Sequence, residues 1–300
     1  MNKQTLLLIS ALLPLGLGAH AVEPTLADVP YGPHPKQVLD FYKADTPQPA
    51  PVMVFIHGGS WLSGDKKTRI TNLEQCLNAG ISVVSISYRF IPEATADGLV
   101  PPVQGPLQDA ARALQFVRSK ASEWNLDKSR IAAVGNSAGG CSALWLALHD
   151  DLADPDSADP VARESTRPCA AAGLGAQTSL DPQQMKAWIP NIQYGGHAFG
   201  FRNFKEFLAG RDTIVPWIAE YSPYALITAG DPPIFLQYSD VPALGQEQKS
   251  GPHGSNFGVE FTEKCRSVGV ECEFMYPGAT EVKYNSLMNF LQAKLKNPQG

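Results

Sequence analysis

The chain has 300 residues, of which 44% are hydrophobic and 18% charged, and its formal net charge is −5. That length can bury a substantial core, and an acidic chain without a run of Lys or Arg argues against a nucleic-acid partner or an anionic membrane surface. Five cysteines without a C-x-x-C pair argue against a zinc site or a disulfide framework. One or two bridges stay open, with Cys265 and Cys272 the most local pair, and nothing implies a metal or an organic cofactor.

Residues 1–21 have the pattern of a signal peptide. Lys3 supplies a positive charge, an apolar stretch runs from Leu6 to Leu17, and Ala19-His20-Ala21 places small residues where a signal peptidase cleaves. We therefore expect export to a periplasm or the exterior, with a mature chain that begins near Val22. An uncleaved N-terminal anchor is the alternative, although the apolar stretch is short for a membrane span.

Beyond this segment, short apolar runs alternate with helical patterns. Strands are predicted at 52–56, 81–86, 131–134, 170–177, 234–238 and 273–276, and helices at 107–117, 137–149, 257–268 and 282–295. Apolar strands separated by helices indicate an α/β fold with a mostly parallel sheet covered on both faces, whose ligands gather at the carboxyl ends of the strands.

The remaining organisation is simple. Residues 22–300 are predicted to form a single domain. The segment 182–223 is rich in aromatic residues, Gly and Pro, and we expect it to be a small insertion over the active face. An ordinary irregular crossover is the alternative for this segment.

The most informative motif is Gly135-Asn136-Ser137-Ala138-Gly139, which follows a predicted strand and precedes a helix. A serine on such a turn is held in a strained conformation with its hydroxyl above the sheet, and the flanking glycines relieve crowding. The amide of Ala138, at the start of the helix, points to where an oxyanion would form. Ser137 is therefore the candidate nucleophile, and a Gly-rich turn without chemistry is the alternative.

A second motif, His57-Gly58-Gly59-Ser60-Trp61, follows another predicted strand. Adjacent glycines let backbone amides turn inward without obstruction, so Gly58 and Gly59 are predicted to complete the oxyanion hole with Ala138. His57 is expected to brace this loop by hydrogen bonds. The alternative is a simple turn at the end of a strand.

Five segments occur in the order that is seen in HGG-type esterases: His57 to Trp61, Ser87-Tyr88-Arg89, Pro92-Glu93-Ala94, Gly135 to Gly140 and Asp231-Pro232-Pro233. Over about residues 36 to 296 the chain resembles the α/β-hydrolase superfamily, specifically its hormone-sensitive-lipase-like and feruloyl-esterase-like carboxylesterases. The resemblance implies the α/β-hydrolase fold, with an eight-stranded, mostly parallel sheet and helices on both faces. It also implies hydrolysis through an acyl-serine and a triad in the chain order Ser, Asp, His.

The C-terminal third departs from that family pattern. The family places its histidine after the last strand, but the stretch from Tyr276 to Lys283 contains none. Only His253 follows Asp240, in a Gly-containing loop beyond the strand 234–238, so His253 is the candidate base; an exposed loop histidine is the alternative. Asp240 holds the family position of the acid, and Glu281 and Asp181 are the alternative acids.

These patterns predict an exported serine carboxylesterase that acts on a small-molecule or carbohydrate-linked ester. The resemblance favours acetyl or feruloyl esters on polysaccharides. The alternative is a catalytically inactive hydrolase fold used for binding, because the usual C-terminal histidine is missing. No nucleic-acid partner and no stable membrane partner are expected.

Overall fold

The structure is a computed structural model, and it describes residues 22–296; the predicted signal peptide, residues 1–21, lies outside the described residues. The strands are β1 Leu26–Pro30, β2 Val38–Tyr42, β3 Ala50–Ile56, β4 Ser82–Ile86, β5 Leu126–Asn136, β6 Ala170–Leu174, β7 Ile234–Gln237 and β8 Cys272–Met275. The helices are α1 Leu73–Asn78, α2 Ile91–Ala96, α3 Gln104–Ser119, α4 Ala121–Trp124, α5 Ala138–Leu148, α6 Pro182–Trp188, α7 Phe204–Ala209, α8 Val215–Tyr221, α9 Pro223–Leu226, α10 Asn256–Ser267 and α11 Leu287–Lys296. Short 3-10 turns lie at Gly196–Phe199, Arg211–Thr213 and Gly251–His253.

All eight strands join one sheet in the order β1-β2-β4-β3-β5-β6-β7-β8. The pairs β1–β2 and β2–β4 are antiparallel, and every pair from β4 to β8 is parallel. The carboxyl ends of β3, β5, β6 and β7 therefore meet at one edge of the sheet. Parallel strands need crossover connections, which helices and the longer segments supply here.

The sheet is buried on both faces, as the central strands show. In β3, Val52, Val54 and Ile56 belong to a large core cluster with residues of α3 and α5, whereas Met53 and Phe55 face a smaller cluster with α1 and α11. Alternate residues of a strand point to opposite faces, so a strand that is apolar throughout requires a cover on each side. The predicted α/β-hydrolase fold, with its mostly parallel sheet and helices on both faces, is confirmed.

Most predicted elements differ in their bounds by one or more residues, and two of the differences have a clear local cause. Strand β6 ends at Leu174, not at 177, because Gly175 adopts a left-handed φ of 56° and turns the chain. Helix α11 begins at Leu287, not at 282, because the Glu273 carboxylate accepts hydrogen bonds from the backbone amides of Lys283 and Tyr284. Those amides are thereby held outside a helix.

The segment 182–223 forms helices α6 to α8 with 3-10 turns between them. The Nε2–H group of His197 in this segment donates to the carbonyl of Ser60 at 2.9 Å, so the segment packs against the loop that follows β3. Within residues 22–296, no helix combines the length and the apolar character needed to cross a membrane.

Candidate active site

Ser137 occupies the turn between β5 and α5. Its backbone has φ 52° and ψ −122°, a conformation that a non-glycine residue adopts only at a cost of roughly 1–3 kcal/mol. The Ser137 amide donates to the Leu174 carbonyl at 2.8 Å, and the Ser137 carbonyl accepts from the amide of Cys141 at 2.9 Å. The surrounding β6 and α5 therefore impose the strain, and the serine hydroxyl is presented above the sheet edge.

The glycines of this turn are required by close backbone approach. A Cβ atom on Gly135 would lie 2.2 Å from the Gly139 carbonyl oxygen, and one on Gly139 would lie 2.1 Å from the carbonyl oxygen of Ile56. Such contacts are far inside van der Waals distance, so neither position accepts a larger residue without a backbone shift. Gly135 and Gly139 thus allow α5 to begin directly beside the end of β3.

The loop after β3 passes next to the serine. A Cβ atom on Gly58 would lie 3.2 Å from the Cβ atom of Ser137, and Gly59 has a left-handed φ of 106°. Across residues 22–296, the amides of Gly58, Gly59 and Ala138 donate to no other group of the chain. Ala138 is the first residue of α5, where an amide has no partner within the helix. These three amides lie in the two segments that meet at Ser137, so they are available as oxyanion donors.

His57 and Tyr88 brace this loop from below. The buried His57 ring stacks on Tyr88 at a centroid distance of 4.3 Å, and its Nδ1–H group donates to the Gly58 carbonyl at 2.6 Å. The Tyr88 hydroxyl donates to the His57 carbonyl at 2.8 Å. Burial lowers the pKa of His57, so the ring stays neutral at neutral pH. His57 lies under the loop as a structural support.

Trp61 joins the loop to the helix of the nucleophile. Its indole is fully buried, and its Nε1–H group donates to the Ser142 hydroxyl at 3.0 Å. The Ser142 hydroxyl in turn donates to the Ala138 carbonyl at 3.1 Å. The relative position of the Gly58–Gly59 amides and the Ala138 amide is therefore fixed by side chains as well as by backbone packing.

The structure brings His253 to Ser137. The Nε2 atom of His253 lies 2.9 Å from Ser137 Oγ, which is hydrogen-bond distance. The imidazole also packs over the end of β6, where a Cβ atom on Gly175 would lie 3.6 Å from its Cδ2 atom. Partial burial lowers the pKa of His253 below its usual 6.5. A neutral imidazole with its Nε2 lone pair facing a serine hydroxyl is the arrangement that a general base requires.

The other ring nitrogen of His253 does not meet a carboxylate. Its Nδ1 atom lies 3.0 Å from the Ser250 hydroxyl. In the part of the chain that the structure describes, neither Asp240 nor Glu281 forms a hydrogen bond or an ion pair with His253. The structure thus departs from the expectation that Asp240 orients the base, because the loop turns Ser250 toward Nδ1 instead.

Asp181, the third candidate acid, is engaged elsewhere. Its carboxylate caps α6 by accepting from the Gln183 amide at 2.9 Å, and it forms an ion pair of 2.7 Å with Arg211. These contacts account for a buried carboxylate without any part in the site. Residues 22–296 also contain no group of three or more His, Cys, Asp or Glu that is placed to hold a metal ion.

Two residues of the site were missed by sequence reasoning. Ser250 approaches His253 because both lie at the ends of one 3-10 turn, and Gln177 donates from its side-chain amide to the Pro252 carbonyl in that turn. A serine three residues before a histidine, separated by Gly and Pro, was a signal for the first contact. Gln177 had no local signal, since it is 75 residues from Pro252.

Comparison with known proteins gives a family match and a shared fold. The BD-FAE family model matches residues 39–248. A probable isoprenylcysteine alpha-carbonyl methylesterase ICMEL1 of Oryza sativa subsp. japonica is 31% identical over 132 residues, which are 44% of this chain and 29% of that protein. Carboxylesterase NlhH of Mycobacterium tuberculosis is 36% identical over 107 residues, 35% of this chain and 31% of that protein. The matched stretch thus spans less than a third of either relative.

Solved structures share the fold over most of the chain. A carbohydrate esterase from gut microbiota superposes with a TM-score of 0.66 at 18% identity, over 91% of this chain and 96% of that one. The acetyl ester-xyloside bifunctional hydrolase from Caldicellulosiruptor lactoaceticus gives a TM-score of 0.61 at 21% identity, over 83% and 79% of the two chains. At these identities the likeness establishes the fold alone.

Proposed function

Since the chain belongs to the BD-FAE family, we propose that it is a serine hydrolase that cleaves carboxylic esters through an acyl intermediate on Ser137. The observation that carries this proposal is the hydrogen-bond distance of 2.9 Å between Ser137 Oγ and His253 Nε2. Ser137 also lies on a strained turn, and within residues 22–296 the nearby amides of Gly58 and Ala138 donate to no other group. A nucleophile, a base and oxyanion donors at one point form the constellation of acyl transfer.

The proposed reaction has two halves. His253 Nε2 takes the proton of Ser137 as its Oγ attacks the ester carbonyl carbon, and the amides of Gly58, Gly59 and Ala138 hold the negative charge on the carbonyl oxygen. His253 then returns the proton to the leaving alcohol. Water attacks the acyl-serine in the same way, with His253 again as base, and the acid is released.

The first test is turnover of p-nitrophenyl acetate by the purified protein and by Ser137→Ala. Exposed Ser239 offers a matched control, because Ser239→Ala removes the same hydroxyl from a surface position. We expect activity in the wild type and in Ser239→Ala, and a loss of several orders of magnitude in Ser137→Ala. Equal rates in wild type and Ser137→Ala would reject the hydrolase proposal and favour a binding protein.

For the substrate we propose an ester carried by a carbohydrate, with acetyl or feruloyl groups as candidates. A cavity of about 810 Å³ beside the turn that holds Ser137 supports this class. Its lining combines polar and apolar side chains, as a carbohydrate site does. The polar ones are Lys67, Thr68, Arg69, Thr71, Asn72, Glu74, Gln75 and Asn136, and the others are Val22, Tyr42, Ile70 and Leu73. Asn136 directly precedes the nucleophile, so the cavity borders the turn that holds Ser137.

This substrate proposal has its own experiment. Release of acetate from acetylated xylan and of ferulate from feruloylated arabinoxylan is compared with turnover of p-nitrophenyl acetate. We expect Arg69→Ala to raise KM for the polysaccharide and to leave KM for the small ester unchanged, because only the polysaccharide reaches the cavity. Equal KM values for the polysaccharide in wild type and Arg69→Ala would contradict a carbohydrate site there.

We also propose that the protein is exported, on the sequence pattern of residues 1–21. Expression in a Gram-negative host, followed by N-terminal sequencing of the periplasmic or secreted fraction, tests this. A mature chain that begins near Val22 is expected, and a full-length protein retained in the cytoplasm would contradict export.

A further inference from the structure

We propose that Ser250 is the positioning residue for His253, so that a hydroxyl takes the place that a carboxylate occupies in a Ser-His-Asp triad. The inference rests on the proposed function, because it concerns how the base of that site is oriented. It assigns a role to a residue on the loop between β7 and α10, at a distance of 3.0 Å from His253 Nδ1.

The tautomer of the imidazole supports this role of Ser250. For Nε2 to accept the proton of Ser137, the proton of the neutral ring must sit on Nδ1. An Nδ1–H group needs an acceptor, and the Ser250 oxygen lies at the right distance to accept it. The hydrogen bond therefore selects the tautomer that leaves the Nε2 lone pair directed at Ser137.

The local geometry of the turn between Ser250 and His253 also supports this role. Gly251–His253 form a 3-10 turn closed by a hydrogen bond of 3.2 Å from the His253 amide to the Ser250 carbonyl. Ser250 directly precedes this turn with an extended backbone, and the turn brings His253 back to it, so that the two side chains meet at 3.0 Å. The contact between them is therefore local to one turn of the chain.

Hydrogen bonds from several directions hold the turn that contains Ser250 and His253. The Asn191 side-chain amide donates to the Gln248 carbonyl at 2.8 Å, and the Gln248 amide donates back to Asn191 Oδ1 at 3.1 Å. Gln177, which is fully buried, donates to the Pro252 carbonyl. A loop anchored on both sides of Ser250 can fix the direction of an imidazole even though the imidazole itself is only partly buried.

The surroundings of His253 are uncharged where the structure shows contacts. Ser137 and Ser250 contact the two ring nitrogens, and the ring packs near Gly175 at the end of β6; none of these residues carries a charge. The charged neighbour in sequence, Lys249, is exposed. A hydroxyl can orient the imidazole but does not stabilise its protonated form as a carboxylate would. An imidazole in these surroundings therefore stays neutral down to a lower pH than one beside a carboxylate would.

The test measures kcat and KM for p-nitrophenyl acetate across pH in three Ser250 variants, beside wild type and Ser137→Ala. Ser250→Ala should lower kcat roughly 10-fold or more with little change in KM, because the base is present but misdirected. Ser250→Thr keeps an acceptor oxygen and should retain most of the activity. Ser250→Asp should move the acid limb of kcat/KM upward by about one pH unit or more, since an adjacent carboxylate favours the imidazolium.

Two further measurements keep the outcome decisive. Ser239→Ala, which removes an exposed hydroxyl beyond β7 that forms no hydrogen bond with His253 within the described residues, should keep the wild-type pH profile. Nitrogen-15 NMR of the imidazole should show the Nδ1–H tautomer in wild type and a mixture in Ser250→Ala. An unchanged kcat, pH profile and tautomer in Ser250→Ala would overturn the assignment. If Ser137→Ala is inactive in the same series, the proposed hydrolase function stands regardless.

Discussion

Ser137 and His253 are separated by 116 residues in the chain, yet their Oγ and Nε2 atoms lie 2.9 Å apart. The contact arises because β5 and β7 end at the same edge of the sheet, with β6 between them. The turn after β5 presents the serine, and the loop after β7 returns over Gly175 at the end of β6 to present the imidazole. The proposed base, His253, therefore comes from the loop after β7, whereas the loop after β8 contains no histidine.

The pH dependence of activity follows from the surroundings of His253. Partial burial lowers its pKa below the usual 6.5, so the base is neutral above that lowered pKa and protonated below it. We expect the acid limb of kcat/KM to be centred below pH 6.5. Rates for a small nitrophenyl ester between pH 4.5 and 9 provide the check. An acid limb centred above pH 7 would contradict this environment.

Asp240 should be dispensable for catalysis. Since its carboxylate makes no hydrogen bond or ion pair with His253 in the described part of the chain, we expect Asp240→Asn to keep kcat/KM within about threefold of wild type. Loss of the orienting function of a triad acid instead costs about 10⁴-fold in kcat. Glu281→Gln serves as a parallel variant with the same expectation. A drop of the larger size in either variant would identify that residue as an acid that the loop brings to His253.

The bond between Trp61 and Ser142 should matter for rate as well as for stability. Trp61→Phe removes the Nε1–H donor, so we expect a loss of about 1 kcal/mol in the free energy of unfolding and a fall in kcat of roughly 10-fold as the oxyanion loop loosens. Trp124→Phe is the control, because Trp124 is also buried but lies outside this loop. Its indole stacks on Phe41 at a ring-centroid distance of 4.6 Å. Denaturant unfolding and kcat are measured on both; equal kcat losses would argue against a specific role of the Trp61 bond.

The close approach of α5 to β3 makes Gly139 irreplaceable. Gly139→Ala would set a Cβ atom 2.1 Å from the Ile56 carbonyl oxygen, and we expect a loss of about 2 kcal/mol or more in stability together with activity. Gly269→Ala separates this contact from backbone strain, because Gly269 has a φ of 79° but open space around it. That control should lose about 1 kcal/mol and keep its activity. Equal losses of stability on thermal unfolding in the two variants would show that the contact with the Ile56 carbonyl oxygen is unimportant.

The sequence predicts the centre of the fold well because the central strands are apolar on both faces. The runs 52–56 and 131–134 leave no other arrangement than a covered parallel sheet, and β3 and β5 contain them. Strands β1 and β2, which lie at one edge of the sheet, do not contain such a continuous apolar run. In β2 the buried Asp40 interrupts the apolar run, and its charge is compensated by Lys66 at 3.0 Å, a residue 26 positions away.

The site shows the same division between local and distant information. The turn that holds Ser137 and the loop with Gly58 and Gly59 are determined by short-range backbone geometry, so their residues could be predicted from motifs. The partner of His253 Nδ1 depends on how the loop 248–255 is anchored by Asn191 and Gln177. Family position pointed to Asp240, whereas the folded loop turns Ser250 to the ring. No sequence pattern within residues 248–255 indicates the contacts with Asn191 and Gln177.

The most direct measurement of the central claim is covalent labelling of the protein by a fluorophosphonate, followed by peptide mass spectrometry. Phosphonylation requires an activated serine beside a base, which is what the pair Ser137 and His253 provides. We predict a single adduct on Ser137, none in Ser137→Ala, and labelling slowed by about 100-fold or more in His253→Ala. An adduct on a different residue, or labelling of His253→Ala at the wild-type rate, would contradict it.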